Sequence, residues 1–346
     1  METFWFCVVA LMIAIYTILD GFDLGAGIVN LIASKSEDDR TKILQAIGPY
    51  WDGNEVWLIA AGGVLYFAFP KLYAASFSGF YLPLMIVLWL LMLRGLGIEF
   101  RHQFHHPMWS AFWNTLFSIS SLLLAVFFGA ALGNVVRGVP LNAEGYFFEP
   151  LWTTFTIVPD AGILDWFTVI MGLVALCTLT VHGANYIAMR TDGGLQLRSR
   201  RIAKMTLPLV VLLSIAALIS AFSIRAGLEQ SYLAHPWGLI FPLLALAGLA
   251  GMFIFPRNGD DAKSFISSSV FIGAMLASTA FAMYPNVLPA STVESRGLTI
   301  FNSAAGAYGL SIGAAWWVPG LILAMGYFTY LYRSFRGKVT VEEGGY

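Results

Sequence analysis

The chain has 346 residues, 58% of them hydrophobic and only 11% charged, with a formal net charge of −1. Soluble domains carry about 25% charged residues, so at a mean hydropathy of +0.74 the core must be a bundle inside a membrane. The near-neutral balance gives no electrostatic footing for nucleic acid. Cys7 and Cys177 both lie in apolar runs, which indicates neither a disulfide framework nor a cysteine-based metal site.

The first apolar run, about 4–32, lacks a basic leader and is longer than a signal-peptide core, so it reads as a retained first helix. Inside it stand Asp20 and Asp23. A charge at the bilayer centre costs ~2.5–3.5 kcal/mol on insertion scales, so both acids must face protein or water. Helical spacing puts them on neighbouring parts of one face, and Gly21 and Gly25 beside them permit close approach of another helix. Two nearby carboxyl groups in low dielectric repel and favour sharing a proton, which suits a proton relay. A structural pair hydrogen-bonded to a neighbouring helix is the alternative.

The next cluster is GPYWDGNEVWL at 48–58. Pro49 predicts a break, with Asp52 or Asn54 capping a helix that starts near Glu55. Trp51 and Trp57 suit interfacial anchors. Asp52, Asn54 and Glu55 are placed to receive protons and pass them to Asp23 and Asp20, although Asp52 could serve as a cap alone.

Further spans are predicted at about 54–70, 79–98, 112–134, 163–189, 206–223, 237–255, 265–284 and 308–331, nine in all. Arg94, Glu99 and Arg101 close the third; Glu99 can pair with either arginine, and the plain reading is a charged helix end with snorkelling arginines. His102, His105 and His106 precede Pro107 and read as loop histidines rather than a metal cluster. Asp165 opens the fifth span as a cap or as a group facing a partner. His182, in CTLTVHGANY, is the one histidine at membrane depth; haem ligation, proton transfer and a buried hydrogen bond are all chemically open to it. The YPNVLPAS loop and the following Glu294, Arg296 and Asn302 either shape a lipid or quinone edge or form an ordinary ordered loop. A nucleotide-binding glycine loop and a CxxCH haem-attachment signal are both missing from the sequence.

Of the 19 basic residues, fifteen fall on one side of this span pattern, and four (Lys71, Arg137, Arg225 and Arg296) on the other. The positive-inside rule then predicts an external N-terminus and a cytoplasmic C-terminus. The expected fold is an all-α polytopic membrane protein, a single integral membrane domain over 1–346. Its nine helices divide into two four-helix bundles plus one extra, and eight spans with one re-entrant segment is the alternative.

DGFDLGAG in the first span, GPYWDGNEVWLIAAGG after it, AASFSGFY at 74–81 and YPNVLPAS together resemble subunit II of cytochrome bd-type quinol oxidases, over essentially the whole chain. The resemblance implies a haem-free partner of subunit I in a respiratory complex that reduces O2 to water with electrons from quinol. Subunit I would carry low-spin haem b, high-spin haem b and haem d. A small accessory membrane subunit, membrane lipids and a structural quinone in this chain belong to the same expectation, as does a bacterial or archaeal cytoplasmic membrane. Residue by residue, Asp20 and Asp23 match the family's paired first-helix acids and Asp52 its tryptophan–aspartate–glycine motif, which implies a route from Asp52 through Asp23 and Asp20 toward the haems. Glu55 and His182 stand where relatives need neither an acid nor a histidine. A proton-coupled transporter and a purely structural membrane subunit are the competing classes.

Overall fold

The computed structural model describes residues 1–104, 106–292 and 295–339. The first half of the chain forms α1 (Glu2–Ala33), α2 (Glu37–Ile47), α3 (Trp51–Ala68), α4 (Pro70–Gly79), α5 (Tyr81–Phe100) and α6 (Pro107–Arg137). The second half forms α7 (Trp166–Arg190), α8 (Gly193–Ile224), α9 (Gln230–Ala234), α10 (Ile240–Ile254), α11 (Asp261–Met283) and α12 (Ala307–Ser334). A short antiparallel hairpin, β1 (Asn286–Leu288) with β2 (Leu298–Thr299), lies between α11 and α12.

Among the described residues eight helices are long and apolar enough to cross a membrane: α1, α5, α6, α7, α8, α11, α12 and the run Pro236–Asn258 that contains α10. The predicted span at 54–70 is met by α3, but the polar first turn with Asp52, Asn54 and Glu55 keeps that helix outside the eight. After Phe69 the chain turns and α4 opens with Pro70, whose missing N–H is harmless in a first turn. Helix starts follow their side chains. Ser36 accepts from Asp39 N at 3.2 Å to open α2, and Asp260 accepts from Lys263 N at 3.0 Å to open α11. Asp165 and Thr168 form a reciprocal capping box at α7, so the predicted cap at Asp165 is observed.

Hydrogen bonds define two ends of the bundle. At the basic end Arg198 Nε donates to Ala33 O at 2.7 Å, Tyr50 OH to Phe335 O at 2.9 Å and Val339 N to Arg190 O at 2.8 Å. At the opposite, loop end Thr3 Oγ1 and Tyr284 OH lie 3.0 Å apart, and Trp5 Nε1 donates to Leu310 O at 3.1 Å. The segment 138–165 and the β1–β2 hairpin fold over that loop end, joined by a bridge between Val139 and Ala290.

α1 is the axis of the fold, packed by α3, α6, α7 and α11. Every residue from Asp20 to Asn30 is buried, so this stretch is enclosed all round, as its nearly unbroken apolar character requires. Gly25 shows how closely: a Cβ there would strike Leu179 O and lie 2.7 Å from the Gly183 backbone. The small side chains thus let α1 and α7 meet backbone to backbone, the approach expected of Gly25. α12 stands at the edge, with only 6% of its most apolar stretch buried, leaning on the rest through Trp317 against Phe4 and Phe328 against Trp57.

Candidate functional site

The break at Gly48 and Pro49 brings the first turn of α3 against the middle of α1 and the last third of α5. Arg94 Nη1 donates to Asp20 Oδ1 at 2.6 Å, and its Nη2 to Glu55 Oε2 at 2.8 Å. The Arg94 and Asp20 side chains are completely buried, whereas Glu55 keeps 22% exposure. Beside this triad Asn54 Nδ2 donates to Asp23 Oδ2 at 2.8 Å, and Tyr332 OH of α12 donates to Asn54 Oδ1 at 2.9 Å. Tyr332 in turn stacks on Tyr50, with ring centroids 4.6 Å apart. Three other helices, α3, α5 and α12, and the turn before α3 therefore converge on the two first-helix acids.

Two carboxyl groups, of Asp20 and Glu55, share one guanidinium here, and a third, of Asp23, lies beside them on Asn54. A buried arginine–carboxylate pair is tolerated only because each removed hydration shell is replaced by a short, charge-assisted hydrogen bond. If all three acids were ionised the cluster would carry net negative charge in a low-dielectric setting, so it has capacity to hold a proton. Several polar atoms around it are buried without a protein partner: Tyr16 OH, Asp20 Oδ2, Asp23 Oδ1, Arg94 Nε and Trp57 Nε1. Tyr16, Asp20 and Asp23 lie on one face of α1, and Trp57 lies one turn beyond Asn54 on the buried face of α3. Groups of this kind are normally satisfied by ordered water.

Several sequence expectations need correction. α3 begins at Trp51 with Tyr50 at its N-cap, so neither Asp52 nor Asn54 caps it; Asp52 lies exposed in the first turn and Asn54 is buried on Asp23. Arg94 neither snorkels nor pairs with Glu99. It lies inside α5 with its side chain fully buried, turned inward onto two acids from other helices that supply its counter-charge. Glu99 is exposed, and Arg101 instead donates to Glu37 Oε2 at 2.7 Å. Burial of Glu37 disfavours its charge, but hydrogen bonds from Arg101 and Arg40 outweigh that and hold its carboxyl below the usual range.

His182 is fully buried, with Nδ1 2.7 Å from Ser268 Oγ and Nε2 2.9 Å from Ile18 O, and its ring stacks on Phe265. Both ring nitrogens are engaged within the protein, so His182 does not fit an axial haem ligand. Among the described residues no three His, Cys, Asp or Glu side chains are grouped to hold a metal ion. His106 precedes α6 on the surface, while His105 and Glu294 lie outside the described residues. Asn302 accepts from Thr299 N at 2.8 Å and donates to Gly297 O at 3.1 Å, the work of an ordered loop.

Two polar clusters escaped the sequence reading. Asn30 Nδ2 donates to Asn114 Oδ1 at 2.8 Å and Ser118 Oγ at 3.0 Å, joining α1 to α6. At the loop end Arg137 donates to Glu149 Oε1 at 2.7 Å, to Asn134 Oδ1 at 2.7 Å and to Asp165. Burial pushes the Glu149 carboxyl up to about 8; the Arg137 guanidinium opposes this, and the negative charge of nearby Asp165 adds to it. The signal available was an arginine closing a long apolar helix just before a glycine; its partners 12 and 28 residues away carried none.

The profile of the family described as "Cytochrome bd terminal oxidase subunit II" matches residues 1–335. The chain is 27% identical to "Cytochrome bd-I ubiquinol oxidase subunit 2" of Escherichia coli (strain K12), over 98% of this chain and 95% of that protein. It is 29% identical to "Cytochrome bd ubiquinol oxidase subunit 2" of Bacillus subtilis (strain 168), over 98% and 97% respectively. Among solved structures, a chain of the bd oxidase from Geobacillus thermodenitrificans superposes with a TM-score of 0.74 at 16% identity, covering 96% of this chain and 98% of that one.

Proposed function

The chain belongs to the cytochrome bd terminal oxidase subunit II family, and from that premise we propose that it is the haem-free partner of subunit I in a quinol:O2 oxidoreductase and lends it a proton path. As a family member it is a multi-pass membrane subunit of a respiratory oxidase complex. Within the proposal the three haems, low-spin b, high-spin b and d, sit in subunit I and supply the redox chemistry. The proposal extends to a structural quinone held in this chain and a small accessory membrane subunit. The basic end faces the cytoplasm, by the charge asymmetry of the loops. With α3 counted, nine helices cross; α1, α3, α5 and α6 form one bundle, α7, α8, α10 and α11 the other, and α12 is the extra helix. α5 packs on α6, α7 on α8 and α10 on α11 within these groups, and α1 and α6 pack on α7 between them.

The observation that carries the proton path is the unbroken polar contact from partly exposed Glu55 through Arg94 to fully buried Asp20. Exposed Asp52 collects protons at the mouth. Asp23, bonded to Asn54 and facing no cation directly, holds one within the cluster. Arg94 keeps the cluster from accumulating charge, and water bridges the orphaned Tyr16, Asp20 and Asp23 oxygens. O2 reduction to water consumes one proton per electron, so an acid chain opening at the cytoplasmic side meets a chemical need.

The test is quinol-dependent O2 consumption by the purified two-subunit complex, comparing wild type with Asp52→Asn and Asp23→Asn. Haem spectra and subunit ratio are read on the same samples. Loss of turnover with intact haems and partner supports proton delivery. Unchanged turnover in both variants removes it, and loss of haem or partner assigns the acids to assembly. That last, structural reading draws on the same buried ion pair.

A further inference from the structure

At the loop end a cavity of about 370 Å³ opens between the end of α8, the α9 segment and the end of α11. Its lining includes Arg225, Gln230, Ser231, His235 and Tyr284. Arg225 follows directly on α8, and among the described residues its guanidinium has neither an ion-pair nor a hydrogen-bond partner; only its backbone N–H is engaged, to Ala221 O at 2.9 Å. Glu229 nearby is exposed and makes no pair with it. This sets Arg225 apart. Buried or half-buried arginines elsewhere are anchored: Arg94, Arg101, Arg137, Arg198 and Arg200 on acids, and Arg190 on Gly337 O. Arg201, Arg257 and Arg333, which pair with no acid, are exposed to solvent. A half-buried arginine lining a cavity without a counter-charge is costly unless an anion completes it.

The walls are built before any ligand arrives. Gly227, at φ 95°, supplies the left-handed turn that folds the chain back, and Gln230 N closes it on Gly227 O at 3.1 Å. Ser231 Oγ donates to the Ala282 and Tyr284 carbonyls, each at 3.3 Å, and Tyr232 OH lies 2.6 Å from Ser278 Oγ. The volume is within the ~300–1,000 Å³ usual for small-molecule sites. The cavity also sits where two candidate spans end, at Ile224 and Pro236, and hence at the level of lipid headgroups. Those helices present exposed Ile219, Phe222, Ile240 and Leu243 toward the bilayer, and exposed Trp237 suits the interface.

We propose that this cavity binds the phosphate of an anionic phospholipid, with the Arg225 guanidinium on two phosphate oxygens and the acyl chains along α8 and α10. The guanidinium fork matches phosphate in a bidentate geometry that a lysine ammonium cannot reproduce. Headgroup depth and apolar flanks favour a lipid over free phosphate.

The test is native mass spectrometry of the purified oxidase complex titrated with phosphatidylglycerol, for wild type, Arg225→Gln, Arg225→Lys and the exposed-site control Arg257→Gln. Arg225→Gln should weaken phosphatidylglycerol retention by about tenfold or more, the loss of a charge-assisted bidentate contact. Arg225→Lys should keep part of it, and Arg257→Gln all of it. Inorganic phosphate should not displace the lipid, and phosphatidylcholine should be retained less than phosphatidylglycerol. Equal retention in wild type and Arg225→Gln overturns the proposal, and displacement by inorganic phosphate makes the site one for the free anion. If Arg225→Gln fails to assemble, the wild-type comparison decides: equal retention of the two lipids overturns the assignment.

Discussion

Removing Arg94 probes the centre of the site. Arg94→Gln leaves Asp20 and Glu55 facing each other without the guanidinium that joins them at 2.6 and 2.8 Å. Breaking a buried pair by removing one member costs ~3–5 kcal/mol, because the remaining charge is stranded. Asp20→Asn should cost less, since Arg94 retains Glu55. The combination Asp20→Asn, Glu55→Gln, Arg94→Gln strands nothing and should recover most of the loss. The assay is a mutant cycle on the purified complex, unfolded by graded denaturing detergent in mixed micelles. An ordinary hydrogen bond between membrane helices contributes only ~0.6 kcal/mol on average. A coupling energy between Asp20→Asn and Arg94→Gln near that value, rather than several-fold larger, would refute the reading of Arg94 as the charge-compensating member.

Glu149 gives a pH signature. Its carboxyl sits near 8 in the fold against an ordinary 4.5, so between those values the folded state holds a proton that the unfolded chain has lost. Complex stability should therefore fall as pH rises through that window, then level off above about 8; thermal unfolding against pH reads this, and Glu149→Gln should flatten the slope. Gly25→Ala pushes a methyl group into the Leu179 carbonyl and the Gly183 backbone and should sharply lower the yield of assembled complex, whereas Gly62→Ala, with open space around it, should not. His182→Leu removes the contacts to Ser268 Oγ and the Ile18 carbonyl, while Ser268 keeps its bond to Phe265 O, at a cost of ~1–3 kcal/mol. Haem spectra of that variant should match wild type, and a missing haem band would return His182 to the role of ligand.

Membrane class, eight of the nine span positions and the special standing of Asp20 and Asp23 were legible along the chain. A bilayer imposes span length, and an acid inside an apolar run has no solvent to answer to, so both leave a one-dimensional trace. Gly25 was readable for a related reason: a missing side chain beside a buried acid signals close approach whichever helix approaches. The identity of the partners was not readable. Arg94 lies 74 residues from Asp20 and 39 from Glu55, and an arginine near a helix end looks the same in sequence whether it snorkels to water or turns inward. α5 is apolar on every side of Arg94, so no periodicity marks the face that meets α1. Likewise nothing local separates Arg137, locked on two acids, from Arg225, which has none. Sequence determined which residues cannot face lipid; helix packing alone decided which charges meet, because that depends on contacts between segments far apart in the chain.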